Sequence, residues 1–317
     1  MDLTLAICMY NAGHFIEKTL GSVMLQTSQD FHLLIVDDSS SDNSIELVEK
    51  FFVENLRQYE LVKFDENKGI CNARRYAERH ASTKYMMFLD ADDILLPHAV
   101  ETLWEKIQSD SDLMAVGCYL DYIDSKGKKL GGGLYIGETT KEGFYAKAAA
   151  GKLIFMQPTA IYNREISLRA GGYEIDGFPK NTPRYQDYCE DLDLWTRMSD
   201  FYTENLAIVV VPETLALYRK GGGLSSSSFN MILKMRYTKT NVRRRRRGER
   251  NLTFCEFYDS LSEKELASLR REAFAADYLR NGAILLKRGN VIKGPWLILR
   301  SIVAKPLYFI DKLKHNL

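Results

Sequence analysis

Three carboxylates, Asp90, Asp92 and Asp93, stand within four residues directly after the apolar run Tyr85 to Leu89. A continuous apolar stretch about one strand long reads as a strand buried on both faces of a mostly parallel sheet. The acids then fall where that strand leaves the core. Carboxylates at the carboxyl end of a central strand sit in the crevice where open α/β sheets bind ligands. Asp90 and Asp92 can converge there on one hard cation, completed by phosphate oxygens and water. The competing reading is a solvated turn whose aspartates cap a helix begun by Ile94 to Pro97.

A second pair, Asp37 and Asp38, closes the apolar run Phe31 to Val36. Two such clusters on one sheet edge suit a ligand with both a nucleoside and a diphosphate. One cluster accepts from a base N–H or ribose hydroxyls while the other holds a metal. Alone, Asp37-Asp38-Ser39 is more often an N-cap and turn. Gly69 opens a helix whose positive N-terminal end, with Arg74 one turn in, can approach an anion. Taken by themselves, Arg74 and Arg75 read as a solvated face. Glu190 and Asp191 begin a helix in which Leu192, Leu194 and Trp195 supply core contacts. Acidic residues are favoured at a helix start for electrostatic reasons alone.

The elements that must carry these residues alternate. Leu3 to Met9 reads as a first strand and Gly13 to Leu25 as an amphipathic helix, followed by strand Phe31 to Val36 and helix Ile45 to Phe52, capped by Ser41 or Asp42. Strand Leu61 to Phe64, helix Gly69 to His80 and the Tyr85 strand continue the pattern. Such alternation predicts βαβ units and a parallel sheet. Beyond it the spacing predicts a strand at Leu113 to Tyr122, a Gly-rich hairpin or loop at Asp124 to Gly133, a helix at Thr140 to Ala150 and a short strand at Thr159 to Tyr162. A helix over Asp187 to Met198 and strands at Ala207 to Val211 and Leu215 to Tyr218 follow. Gly221 to Ser228 has lid composition, and from Phe229 onward the pattern is mostly helical.

A chain of 317 residues with 45% hydrophobic and 27% charged residues is an ordinary globular composition, with room for a sizeable core. The N-terminus lacks a basic n-region, and no stretch approaches the roughly 20 apolar residues of a membrane span. Cys8, Cys71, Cys118, Cys189 and Cys255 form no CxxC pair, which argues against a disulfide framework and a zinc site. The cytoplasm is the default compartment. The formal charge of +1 hides an asymmetry: residues 1–230 carry 23 Lys/Arg against 34 Asp/Glu, and residues 231–317 carry 20 against 8. An acidic body with a basic tail places something anionic opposite the tail. The run Arg243 to Arg247 lacks any accompanying nucleic-acid module and reads as a solvated helix face. Pro295 to Ile310 mixes aromatics, aliphatics and bases. It suits an interfacial segment on anionic lipid, a dimer contact, or a packed helix.

Tyr10-Asn11, then Val36-Asp37-Asp38-Ser39, then Asn67-Lys68-Gly69 through Ala73-Arg74, then Phe88-Leu89-Asp90-Ala91-Asp92-Asp93 strongly resemble, in this order, glycosyltransferase family 2. Gly171-Gly172-Tyr173, Glu190 to Trp195 and Tyr218-Arg219 extend the resemblance over roughly the first 228 residues. It implies an α/β GT-A fold, residues 1–228, followed by a helical basic region, residues 229–317. It implies Tyr10 and Asp38 at the nucleobase, with Asp37 beside them, Arg74 at the nucleotide, Asp90 facing the ribose or metal, and Asp92 as the principal ligand of Mg²⁺ or Mn²⁺. Asp191 matches the catalytic base at the start of the acceptor-side helix, with its neighbour Glu190 the weaker competitor. Where many members carry a histidine after Tyr-Arg, this chain has glycine, which leaves Arg219 or Lys220 as substitute diphosphate contacts. The implied reaction is inverting transfer from a nucleotide-diphosphate sugar, most commonly UDP-linked, to a saccharide or lipid-linked saccharide hydroxyl in surface-polysaccharide synthesis. A metal-dependent nucleotidyltransferase and a non-catalytic sugar-nucleotide-binding module are the competing readings.

Overall fold

The structure, a computed structural model, describes residues 1–180, 183–221, 227–287, 289–308 and 310. Two compact units divide the chain: Met1–Ile175 with Glu190–Gly221, and Asp176–Cys189 with Gly222–Leu317. The segment Asp176–Cys189, which a division at residue 228 assigns to the N-terminal part, clusters with the C-terminal residues.

The first unit alternates as its apolar runs dictate: β1 (Leu3–Met9), α1 (Ile16–Met24), β2 (His32–Asp37), α2 (Ser44–Asn55), β3 (Glu60–Lys63), α3 (Ile70–His80) and β4 (Tyr85–Asp90). These four strands are parallel, in the order β3-β2-β1-β4. Asp90 is followed by a two-residue strand, β5 (Ile94–Leu95), and α4 (Ala99–Gln108), so the helix expected at Ile94 begins five residues later. Next come β6 (Leu113–Ile123), β7 (Lys129–Leu134), α5 (Lys141–Ala149), β8 (Ala160–Asn163), α6 (Arg164–Arg169), α7 (Glu190–Met198) and β9 (Ala207–Arg219). β8 runs antiparallel between β4 and β6, and β9 lies parallel to β6. The two strands expected at Ala207 and Leu215 are one bent strand, because register shifts near Cys118 and Tyr119 let β9 follow β6 past Pro212. Of the expected lid, residues 222–226 lie outside the described residues.

Every residue of β1 is buried, which is the burial its uninterrupted apolar sequence requires. Two buried polar networks fix what packs on this sheet. Glu78 of α3, fully buried, accepts from Tyr162 Oη (3.2 Å), the Tyr173 amide (3.3 Å) and Ser167 Oγ. Arg197 of α7 donates to Asp193 (3.0 Å) and to the carbonyls of Ala170 and Gly172 (both 2.7 Å). Gly172 sits between them at φ +64°, where an added Cβ would stand 2.4 Å from Glu78 Oε2. Gly172→Ala is therefore expected to destabilise the protein by about 1–3 kcal/mol, read as a lowered urea midpoint, because strain and a displaced buried carboxylate add.

The second unit is helical: α8 (Ser228–Arg246), α9 (Phe254–Asp259), α10 (Glu263–Lys287) and α11 (Lys293–Ala304). Phe178, Leu233, Tyr237, Phe254, Phe257 and Leu269 form its core. Lys234 is buried among them, its ammonium 4.1 Å from the Phe178 ring centroid. Thr253 and Glu256 cap α9 reciprocally. No helix of the described residues is long and apolar enough to cross a membrane.

Candidate active site

The carboxyl edge of the parallel strands gathers the residues singled out above. Register sets Met9 beside Asp37 and Cys8 beside Asp90, so Tyr10, Asp37-Asp38 and Asp90 leave three adjacent strands at one level. Tyr10 is exposed. Asp38 accepts from the Lys68 amide (2.7 Å), the Gly69 amide (2.8 Å) and Asn67 Nδ2 (2.9 Å), and so holds the loop that enters α3. Asp37 takes the Ser40 amide on Oδ2 (2.9 Å), while its buried Oδ1 has no partner. Between the two aspartates, Asp37 is the one shown with an acceptor to spare.

The turn after β4 is held from several sides. The Asp93 amide donates to the Asp90 carbonyl (3.0 Å), and the buried Asp93 carboxylate accepts the Arg219 amide (2.8 Å). Arg219, only 5% exposed, donates through Nε to the Asp92 carbonyl (2.7 Å) and through Nη1 to the Asp124 carbonyl (2.6 Å). Its Nη2 is buried without a partner. Arg219 thus braces the turn that presents Asp92. Lys220 is exposed, its ammonium 4.3 Å from the Tyr122 ring and 5.2 Å from the Tyr218 ring.

Burial, then the neighbouring Asp90 charge, pushes the Asp92 carboxyl up to about 6. A like charge nearby disfavours the ionised form of a carboxyl and so raises it. Among the described residues no group of three or more His, Cys, Asp and Glu converges on a point. A pair of carboxylates fits a hard divalent ion such as Mg²⁺ or Mn²⁺, which draws its remaining oxygens from substrate and water, and does not fit a closed structural metal site.

Arg74 lies between this turn and α7. Its guanidinium is 3% exposed, with Nη2 at 2.6 Å from Asp90 Oδ1 and Nη1 at 2.6 Å from Glu190 Oε1. Nε is buried without a partner, and the Phe88 ring lies 5.5 Å away. The arginine expected at the nucleotide is thus occupied here by two protein carboxylates. It ties the end of β4 to the start of α7. Burial, partly offset by Arg74, drives Glu190 up to about 8, with Asp191 raising it further. Asp191 is also raised by burial and held down by Arg74, and its Oδ1 accepts the Leu192 amide (2.8 Å). Cys8, beneath Asp90, is pushed up to about 12 by burial and stays a thiol at neutral pH.

The Arg74–Glu190 pair, the Asp93–Arg219 brace and the Glu78 and Arg197 networks are not apparent from the sequence pattern. One indication was available: Cys71, Arg74 and Glu78 fall at i, i+3 and i+7 on α3, placing two charges on a face that the helix buries.

Residues 4–168 match the family model described as "Glycosyl transferase family 2". An uncharacterised glycosyltransferase of Haemophilus influenzae is 26% identical over 72% of this chain and 68% of its own length. The teichoic acid poly(glycerol phosphate) polymerase of Staphylococcus epidermidis is 37% identical over 36% of this chain, a stretch that spans only 16% of that protein. The poly-beta-1,6-N-acetyl-D-glucosamine synthase of Staphylococcus aureus is 34% identical over 36% of this chain and 27% of its own. Among solved structures, S. aureus TarS residues 1–349 with UDP-GlcNAc superposes at TM-score 0.56, with 15% identity, over 99% of this chain and 92% of that one. The mannosyltransferase PcManGT of Pyrobaculum calidifontis, in complex with GDP-Man and Mn²⁺, does so at 0.56 and 17% over 98% and 87%. These likenesses establish the expected GT-A fold. With the family model matched along the strands that carry Tyr10, Asp37, Asp38, Asp90 and Asp92, the chain belongs to glycosyl transferase family 2.

Proposed function

We propose that this glycosyltransferase moves a sugar, with inversion, from a nucleotide-diphosphate donor to a saccharide or lipid-linked saccharide hydroxyl in cell-surface polysaccharide synthesis. The observation that carries the reading is the Asp90–Arg74–Glu190 bridge, with both contacts at 2.6 Å. It ties the start of α7, where Asp191 follows Glu190, to the end of the strand that carries Asp90, which supports a base beside the donor edge. Relatives named for teichoic acid and poly-N-acetylglucosamine synthesis support the polymer class. UDP is the favoured donor nucleotide, in keeping with the neighbour solved with UDP and UDP-GlcNAc.

In this reading Tyr10, Asp37 and Asp38 flank the base, with the spare Asp37 oxygen available to a base N–H. Asp90 would face the ribose or cation, and Asp92 with Asp90 would hold Mg²⁺ or Mn²⁺. That ion, when bound, neutralises charge on the departing diphosphate. Arg219 keeps Asp92 in place, and its Nη2, which has no protein partner, is the candidate contact for a phosphate oxygen, with Lys220 beside it in the chain. Asp191 takes the proton of the acceptor hydroxyl as its oxygen bonds to the anomeric carbon. The bond from that carbon to the diphosphate breaks, and the nucleoside diphosphate leaves with the electron pair. A single displacement of this kind requires no covalent nucleophile.

Calorimetric titration of UDP, GDP, CDP and dTDP, each with Mn²⁺ and with EDTA, tests the donor site. One nucleotide is expected to bind in a metal-dependent way and to weaken at least about tenfold in Asp92→Ala, as loss of a metal carboxylate commonly does. Release of free nucleoside diphosphate, rather than pyrophosphate, separates glycosyl from nucleotidyl transfer. Absence of binding by all four nucleotides overturns the proposal.

A further inference from the structure

We propose that the outer face of α11 docks on the surface of an anionic lipid bilayer. The inner face is fully used within the second unit. A Cβ on Gly282 of α10 would meet Ile298 at 2.8 Å and the Gly294 carbonyl at 2.9 Å, and one on Gly294 would meet Leu286 at 2.7 Å. Ser301 Oγ donates to the Ala275 carbonyl at 2.7 Å. The two helices therefore approach closely at Gly282 and Gly294, with Ile298 against Gly282, while Trp296, Leu299 and Val303 of α11 and Ile292 at its N-cap stay exposed.

Those side chains form a stripe. Ile292, Trp296, Leu299 and Val303, at successive spacings of four, three and four, are 80%, 53%, 57% and 76% exposed. Leu307 and Ile310 stay exposed beyond the helix end. A contiguous apolar row of this length, including an aromatic, marks an interaction surface rather than scattered surface hydrophobics.

Charge selects the occupant. From Tyr278 to Ile310 the sequence has no Asp or Glu, whereas Arg280, Lys287, Arg288, Lys293, Arg300 and Lys305 are cationic. Lys293 is exposed, and Arg300 lies over the Trp296 and Tyr278 rings at 4.8 and 4.7 Å. Arg280 and Lys305 are paired with Asp277 and Glu272 of α10, while among the described residues no carboxylate pairs Lys293 or Arg300. A second copy laid on this face would set cations against cations. A bilayer surface bearing anionic headgroups accepts the stripe into its acyl boundary and the flanking bases at its phosphates. This surface stands apart from the catalytic reading, because membrane binding requires neither donor nor acceptor.

The test is co-sedimentation of the full chain with vesicles of phosphatidylcholine alone or mixed equally with phosphatidylglycerol, together with tryptophan emission. Trp195 is fully buried and Trp104 half-buried, so a blue shift on vesicle addition reports Trp296. Binding is expected only with the anionic vesicles, is expected to weaken with salt, and to fall about tenfold or more in Lys293→Glu/Arg300→Glu. Leu299→Ser/Val303→Ser should fall similarly, with thermal unfolding unchanged because these side chains are exposed. Three results overturn the proposal: no sedimentation with either vesicle, equal binding to both at all salt concentrations, or a vesicle-independent dimer that the serine variants dissolve. The last would assign the face to a second copy.

Discussion

Asp191→Asn is expected to lower kcat by roughly 10²- to 10⁴-fold, the range over which a positioned general base contributes, while nucleotide affinity stays near wild type. The side chains differ by one acceptor oxygen and a charge, and Asp191 is separate from the Asp90–Asp93 turn that the donor reading uses. Its neighbour provides the control. Glu190 spends Oε1 on Arg74, so Glu190→Gln should lower activity through position rather than proton transfer and cost kcat much less. Burial raises Asp191 above the ordinary aspartate value, so the wild-type acid limb should lie above the usual aspartate range. The sign follows from the role: the ionised carboxylate is the active form, and rate is lost as pH falls through its raised pKa. Measurement of kcat against pH for wild type and Asp191→Asn checks both points. An unchanged kcat in Asp191→Asn would remove it from the chemistry.

The parts of this arrangement that were legible in the sequence are those in which one local pattern dictates one local structure. Apolar runs such as Leu3 to Met9 have no polar side to expose and become buried strands, so residues that follow them must emerge at a sheet edge. That logic places Tyr10, Asp37, Asp38 and Asp90 together without any knowledge of contacts. What the sequence did not show depends on partners far apart along the chain. Arg74 and Glu190 are 116 residues apart, and Arg219 reaches its Asp92 carbonyl across 127. Nothing local distinguishes an arginine spent on a backbone carbonyl from one awaiting phosphate. The mixed half of the sheet was similarly obscured, because β8 is only four residues long and its antiparallel placement rests on neighbours β4 and β6.

Arg74 then becomes the residue whose loss should be felt most widely in the fold. Arg74→Met removes a guanidinium from between Asp90 and Glu190, leaving, wherever Glu190 is ionised, an uncompensated buried charge of the kind that typically costs about 3–5 kcal/mol. Glu190 can relieve part of this by taking up a proton. Arg74 holds its carboxyl down against burial, so removing the arginine drives a group already at about 8 still higher. The variant's stability deficit should therefore grow as pH rises toward and beyond 8, where wild-type Glu190 ionises against its arginine and the variant must either ionise unpaired or retain a proton. Urea unfolding of wild type and variant at acidic and alkaline pH reads this directly. Adding Glu190→Gln supplies the decisive comparison, since the double variant lacks both charges and should be less destabilised than the sum of the two single variants. Strict additivity would mean that the 2.6 Å contact between Arg74 and Glu190 carries no coupling energy, and with it the tie between Arg74 and the start of α7 would be lost as a positioning element.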